Sequence, residues 1–303
     1  MLAQLLVVSL AKVDTDVDVS DLCGLKHPRA QVSGSALMRT RCHSGEVQVI
    51  GVDLASADNN TALAVLTQES RTWRLTELRC PCDDQDITTA VNNLPSSGRA
   101  GFDCPVGWPA SFVHFIADHS AGAQRPVPAK ADLLKRCTDQ RVAELVAAQT
   151  NPPIRLTPLS VSSDRIAIPA WRMAHLERQL LAGAAPDRSG TGLIAEVYPA
   201  AALAIWQLPH RGYKGRDGRS VREEILAGIA QRAGELLSLG DYGEQLLASD
   251  HCLDALLSAL VTVAIARNRL AADSIPRGSN ERELAATEGW IQLPAPDLAA
   301  VLG

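Results

Sequence analysis

The order of the strand-length segments most constrains this fold, because three of them follow one another before any helix is predicted. The first is the β-branched run "VQVIGVDLA" (47–55), followed by "TALAVLT" and "WRLTELRC" after short polar breaks. Strands joined by such short connections pair antiparallel. The sequence therefore predicts an antiparallel meander at the start of the ordered chain.

Strands alternate with helices in the rest of the chain. "RAGFDCPVGWP" is predicted to be a fourth strand and "GLIAEVYPA" a fifth, with a helical insertion at about 110–185 between them. Such alternation favours parallel strands covered by helices. We therefore predict an α/β fold in which 46–303 form a mixed five-stranded sheet flanked by helices. The mixed polar composition of 1–45 predicts a flexible N-terminal extension.

Composition excludes several classes of protein. A formal net charge of -5 argues against nucleic-acid binding by bulk charge, although a local basic patch is compatible with it. No run of eighteen apolar residues is present, which predicts no membrane association. The seven cysteines are odd in number and form no C-x-x-C pair, a pattern typical of reduced thiols in the cytoplasm.

Each strand predicted to be central carries one acid inside an apolar run. These acids are Asp53 in "GVDLA", Asp103 in "GFDCP" and Glu196 in "LIAEVYPAAAL". Burying an ionised carboxylate costs several kcal/mol, roughly, unless it is paired, hydrogen-bonded or bound to a cation. A strand-end acid can also accept hydrogen bonds from turn amides, but three such acids favour a shared site.

The last long helix is predicted to span "GEQLLASDHCLDALLSALVTVAIARNRLA" and carries two further acids. Asp250 and Asp254 are four residues apart and share one face, where like charges favour a nearby cation. Alternatively, Asp250 faces water at the helix start, where the helix dipole favours an acid. If the helix crosses the carboxyl ends of the first and fourth strands, Asp254 meets Asp53 and Asp103. Carboxylate-rich ligation suits Mg²⁺ or Mn²⁺.

A basic, glycine-rich segment, "PHRGYKGRDGRSVR" (209–222), is a candidate substrate-binding loop. Its Lys214 and Arg216 can contact a phosphate backbone while Tyr213 stacks on a base. A solvated loop explains the same composition equally well.

Seven short motifs in the same order resemble the domain-of-unknown-function family 429, whose members are regarded as nucleases with an RNase H-like fold. They are GVDLA, GFDCPVGWP, KRCTD, AEVYPAAAL, YKG, SDHCLDALLSAL and EGWI, and together they cover roughly 47–294. "SDHCLDALLSAL" also resembles the closing helix of RuvC-type resolvases. The resemblance implies an RNase H-like sheet and a nuclease acting on DNA or RNA.

The resemblance also implies roles for individual residues. Asp53, Asp103 and Asp254 match the acids of the first strand, the fourth strand and the final helix that hold metal ions in such enzymes. Asp250 or His251 would assist Asp254 from one turn earlier. Glu196 matches only the narrower family's pattern, as a further catalytic acid.

The motifs KRCTD and YKG match basic residues of the family. They imply substrate contacts for Arg136 and Lys214, while Arg136 is equally suited to pairing with Asp139 on the next helical turn. Two divalent ions held by the carboxylates would stabilise the attacking and leaving oxygens of a phosphodiester.

Two other functions are compatible with the same sequence. "GVDLASADNNT" also suits an ATP-dependent phosphotransferase of the actin or sugar-kinase type, although the second glycine-rich nucleotide loop of such enzymes is missing. A catalytically inactive nucleic-acid-binding module is the other alternative, and it predicts that the acids do not converge.

Overall fold

The computed structural model describes residues 47–182 and 184–303 of the chain. Its strands are β1 (Gln48–Asp53), β2 (Ala62–Glu69), β3 (Thr72–Arg79), β4 (Arg99–Phe102), β5 (Ile194–Val197), β6 (Leu237–Ser238) and β7 (Ile291–Gln292). They form one sheet with the order β6-β3-β2-β1-β4-β5-β7. The extension predicted at 1–45 lies outside the described residues.

Eleven α-helices accompany this sheet in the described part of the chain. They are α1 (Asp84–Asn92), α2 (Ala110–Ser120), α3 (Lys130–Leu134), α4 (Cys137–Gln149), α5 (Ala167–Leu180), α6 (Pro199–Ile205), α7 (Arg219–Ala233), α8 (Gly243–Ala248), α9 (Asp250–Ala266), α10 (Gly278–Glu288) and α11 (Leu298–Leu302). Helices α2 to α5 occupy the segment predicted as a helical insertion. Every helix within 47–182 and 184–303 is too short or too polar to cross a bilayer.

The predicted mixed sheet is confirmed, but its strand count is wrong. β1, β2 and β3 pair antiparallel, whereas β4 pairs parallel with β1 and β5 pairs parallel with β4. The two additional strands, β6 and β7, lie at opposite edges and are only two residues long. A pair of residues shows no alternation, so these edge strands carry no periodic signal in the sequence.

The prediction of one long helix from "GEQLLAS" onwards is wrong, because two helices, α8 and α9, occupy this segment. α8 ends before Ser249, and the Ser249 side chain accepts a hydrogen bond from the backbone N–H of Cys252. Ser249 has extended backbone angles (φ -130°, ψ 124°), which is the usual conformation of an N-cap. A new helix therefore starts at Asp250.

Small residues let α9 lie unusually close to the sheet. Gly51 of β1 and Gly101 of β4 are partners in the strand register. A Cβ atom at Gly51 would lie 2.1 Å from the backbone nitrogen of Ala259, and one at Gly101 would lie 2.1 Å from Thr262 Oγ1. The two glycines thus form a shallow trough under α9, which brings the start of this helix over the carboxyl ends of β1 and β4.

The opposite face of the sheet carries a second core. Val52 and Phe102 belong to it and pack with residues of α1 and α5, such as Ile87 and Leu176. Glu196 is the register partner of Phe102 on β5. Because side chains alternate between the faces of a sheet, Glu196 shares the face of Phe102 and not that of Gly101.

Candidate metal centre

Three carboxylates meet where β1, β4 and α9 come together. Asp53 is the last residue of β1, Asp103 directly follows β4, and Asp254 lies in the second turn of α9. One oxygen atom from each lies within 4.8 Å of the other two. The structure therefore brings together the three aspartates that the sequence predicts to meet.

Two of these carboxylates have partners within the protein. The Tyr213 hydroxyl donates a hydrogen bond of 2.9 Å to Asp254 Oδ1, and the Lys214 ammonium pairs with Asp254 Oδ2. His251 Nδ1 lies 2.7 Å from Asp53 Oδ2. Within the described residues, no Lys, Arg or His nitrogen lies within 4.0 Å of the Asp103 carboxylate.

Arg222 fixes the loop that supplies Tyr213 and Lys214. It is buried, and its guanidinium donates to the carbonyl oxygens of Tyr213 (2.5 Å), Gly215 (2.8 Å) and Leu247 (2.8 Å). The sequence shows Arg222 only as one cation of a basic segment. Arg222 positions the loop through contacts with three backbone carbonyl groups. Such contacts leave no recognisable pattern in the sequence.

Burial and the mutual repulsion of the carboxylates both shape the electrostatics of the centre. Burial, together with the charges of Asp53 and Asp254, raises the pKa of Asp103 well above its usual value. Burial also raises the pKa of Asp254 to about 6, although Lys214 opposes this shift. Burial would lower the pKa of Lys214, but the three aspartates raise it, so the ammonium stays charged. The charged groups of the protein therefore offset the negative charge of the three carboxylates only in part.

Replacing Asp103 with asparagine is expected to raise the Tm of the metal-free protein on the order of a few °C at pH 7–8. A carboxyl group whose pKa is raised by folding destabilises the fold above its unfolded pKa, and the cost grows until the folded pKa is reached. The gain should therefore shrink as the pH falls towards 4. Differential scanning fluorimetry in EDTA measures it, with the exposed Asp241→Asn as the control. A lower Tm for Asp103→Asn than for wild type would contradict this electrostatic account.

The predicted roles of Asp250 and Tyr213 require correction. Asp250 starts α9 but is not among the three carboxylates that converge, and His251 contacts Asp53 instead. Tyr213 is only 2% exposed, so its ring offers no face for stacking on a base. Arg216 is exposed at the start of a short 3₁₀ turn, and its contact with substrate stays a prediction.

Glu196 and Arg136 pair with each other and do not join the aspartates. The two Glu196 oxygens accept hydrogen bonds of 2.7 Å from Arg136 Nη1 and Nη2, and Oε2 also accepts one of 3.1 Å from Val106 N–H. Asp139 accepts a further bond of 2.8 Å from Arg136 Nη2. The predicted catalytic role of Glu196 and substrate contact of Arg136 are therefore replaced by a buried ion cluster that joins α4 to β5.

Glu288 is a structural residue whose role the sequence alone does not predict. One of its oxygens accepts a hydrogen bond of 2.8 Å from Ala110 N–H, and the other accepts one of 2.8 Å from Cys137 N–H. These amides lie at the starts of α2 and α4, where the helix dipole favours a negative charge. The only sequence signal was its place in the motif EGWI, which says nothing about its partners.

A cleft of about 440 Å³ opens beside the carboxylates. Its lining includes Asp53, Asp103 and Lys214 as well as residues that precede or begin α5, such as Ile166 and Pro169. The candidate centre is therefore open to a small molecule or to part of a larger one.

Comparison with known families agrees with the motifs. The model of the family described as "Protein of unknown function (DUF429)" matches residues 51–280. No curated protein and no solved structure matches the chain. The matched segment includes all three converging aspartates and covers well over half of the chain, so the protein belongs to the DUF429 family.

Proposed function

We propose that this protein is a metal-dependent nuclease that hydrolyses phosphodiester bonds of DNA or RNA. The observation that carries the proposal is the convergence of Asp53, Asp103 and Asp254 at the carboxyl ends of two parallel strands. Ligands bind preferentially outside this end of the strands in α/β sheets. The cations of the protein offset the charge of these carboxylates only in part, which also favours the binding of a metal ion.

The side chains fit the divalent cation that the resemblance of the sequence motifs to RNase H-like enzymes implies. All three converging groups are carboxylates, which suit hard cations such as Mg²⁺ or Mn²⁺ and disfavour soft ones. Such ions supply Lewis acidity towards a phosphodiester and lower the pKa of water. Asp53, Asp103 and Asp254 would hold them.

The residues around the aspartates have separate tasks in this proposal. Lys214 is half exposed while its ammonium contacts Asp254, so the same charge can face a phosphate in the cleft. Tyr213 holds the other oxygen of Asp254 and thereby orients this carboxylate. His251 orients Asp53 in the same way.

A cytoplasmic location is part of the proposal. It is supported by five free cysteines in the described part of the chain, which suit a reducing compartment.

The proposal is tested by hydrolysis of methyl p-nitrophenyl phosphate and of labelled DNA and RNA oligonucleotides. We expect turnover with millimolar Mg²⁺ or Mn²⁺ and none after treatment with excess EDTA. Equal rates with EDTA, or no cleavage with either ion, would contradict the proposal. Consumption of ATP without phosphodiester cleavage would favour the phosphotransferase alternative.

A further inference from the structure

The cleft beside the aspartates has the size of a small-molecule site. Its volume of about 440 Å³ lies within the range of roughly 300–1,000 Å³ that is typical of ligand pockets. A pocket of this kind surrounds one small group, whereas a duplex needs an extended groove. Its dimensions therefore suit a single nucleotide.

The walls of the cleft are largely apolar. Among its lining residues, Leu54 and Pro105 are buried, and Ile166 and Pro169 are half buried. Apolar walls can pack against the faces of a nucleobase, and such contacts tolerate any base because every base has a π-face. These walls favour an unstacked base over a solvated phosphate backbone.

Few cations are available in the cleft for phosphate groups. Arg136 is occupied by Glu196 and Asp139, and Lys214 can face a phosphate only while it shares its charge with Asp254. Arg165 is the remaining cation of the lining; it is exposed, and no carboxylate among the described residues lies within 4.0 Å of it. A protein that grips a duplex typically neutralises many phosphates, so this lining favours a short stretch of single strand.

The carboxylates themselves are recessed. Asp254 is 0% exposed and Asp53 9% exposed, so a scissile phosphate has to enter the cleft to reach them. A duplex holds its phosphates in a fixed array on its outside, whereas a flexible single strand can carry one nucleotide into a recess, as the extruded nucleotide does in enzymes that act on a base. Entry is therefore easiest for a strand whose bases are already unpaired.

We propose that this cleft accepts one unstacked nucleotide, so that the preferred substrate is single-stranded nucleic acid. The base lies between the apolar walls near Ile166 and Pro169, and the adjacent phosphate lies towards Arg165. This inference rests on the proposed nuclease function, but the binding of nucleic acid tests it independently of catalysis.

The test compares a labelled 12-nucleotide single strand with a blunt-ended hairpin. The stem of the hairpin contains the same 12 nucleotides paired with their complement. Fluorescence anisotropy in EDTA measures binding, and denaturing gels with Mn²⁺ measure cleavage. We expect the single strand to bind and react at least about 10-fold better. Equal or better use of the duplex would overturn the inference. Absence of all Mn²⁺-dependent hydrolysis would instead contradict the proposed function, and the binding result would still decide the inference.

Matched variants locate the effect in the cleft. Ile166→Trp fills the cleft and should weaken binding of the single strand about 10-fold, whereas Ile168→Trp, at an exposed position outside the lining, should not. Arg165→Gln should raise the Kd for the single strand severalfold relative to Arg178→Gln. If Ile166→Trp fails to fold, the two arginine variants alone decide whether the strand binds in the cleft. Equal Kd values within a folded pair would overturn the inference. Far-UV circular dichroism verifies folding.

Discussion

Replacing Asp53 with asparagine is expected to reduce metal-dependent phosphodiester hydrolysis by about 100-fold or more. The substitution keeps the shape of the side chain but removes one of the three converging carboxylates. A loss of ~3 kcal/mol in transition-state stabilisation, which is modest for metal-ion catalysis, corresponds to this factor. The measurement is kcat/KM for methyl p-nitrophenyl phosphate with Mn²⁺.

Two comparisons make this result specific to the centre. Asp241→Asn removes an exposed acid that does not line the cleft and should hydrolyse the ester at the wild-type rate. Titration calorimetry should show weaker Mn²⁺ binding by Asp53→Asn and unchanged binding by Asp241→Asn. If Asp53→Asn retained wild-type turnover, this carboxylate would have no part in catalysis.

Replacing Arg136 with methionine is expected to lower the free energy of unfolding by about 3–5 kcal/mol. The change removes the cation that pairs with Glu196 and Asp139 and leaves both carboxylates buried. Burying an uncompensated charge costs far more than the loss of a surface ion pair. Urea denaturation followed by circular dichroism measures the effect.

Helix α4, which begins directly after Arg136, provides the control. Arg141→Met removes a pair with the exposed Glu144 and should cost at most about 1 kcal/mol. Adding Glu196→Gln to Arg136→Met should recover part of the lost stability, because one of the two buried charges is then removed. Equal losses for the Arg136 and Arg141 variants would contradict the account of the buried cluster.

Local patterns were sufficient to predict much of the sheet. The β-branched run around Gly51 and the short connections after it predicted the antiparallel part, and alternation with helices predicted the parallel part. The two-residue strands at Leu237 and Ile291 were missed because they depend on pairing with distant strands. The break at Ser249 was missed because apolar periodicity continues across it.

The candidate site could be predicted only in part. Asp53, Asp103 and Asp254 stand out as acids within apolar segments, and the structure brings them together. Glu196 carries the same local signal, yet it points to the other face of the sheet because its register with Phe102 is set by tertiary pairing. Glu196 is buried because it pairs with Arg136. This partner lies 60 residues away in the chain, so the sequence around Glu196 does not reveal it.

The contacts of Glu288 have a consequence for how this protein is made on the ribosome. Its carboxylate contacts the starts of α2 and α4, which lie 178 and 151 residues earlier in the chain. Both helices therefore emerge long before the carboxylate that holds their first turns has been synthesised. Contacts of such long range form late and slow folding. Asp254 likewise emerges long after Asp53 and Asp103, so the three carboxylates cannot come together before α9 has been synthesised.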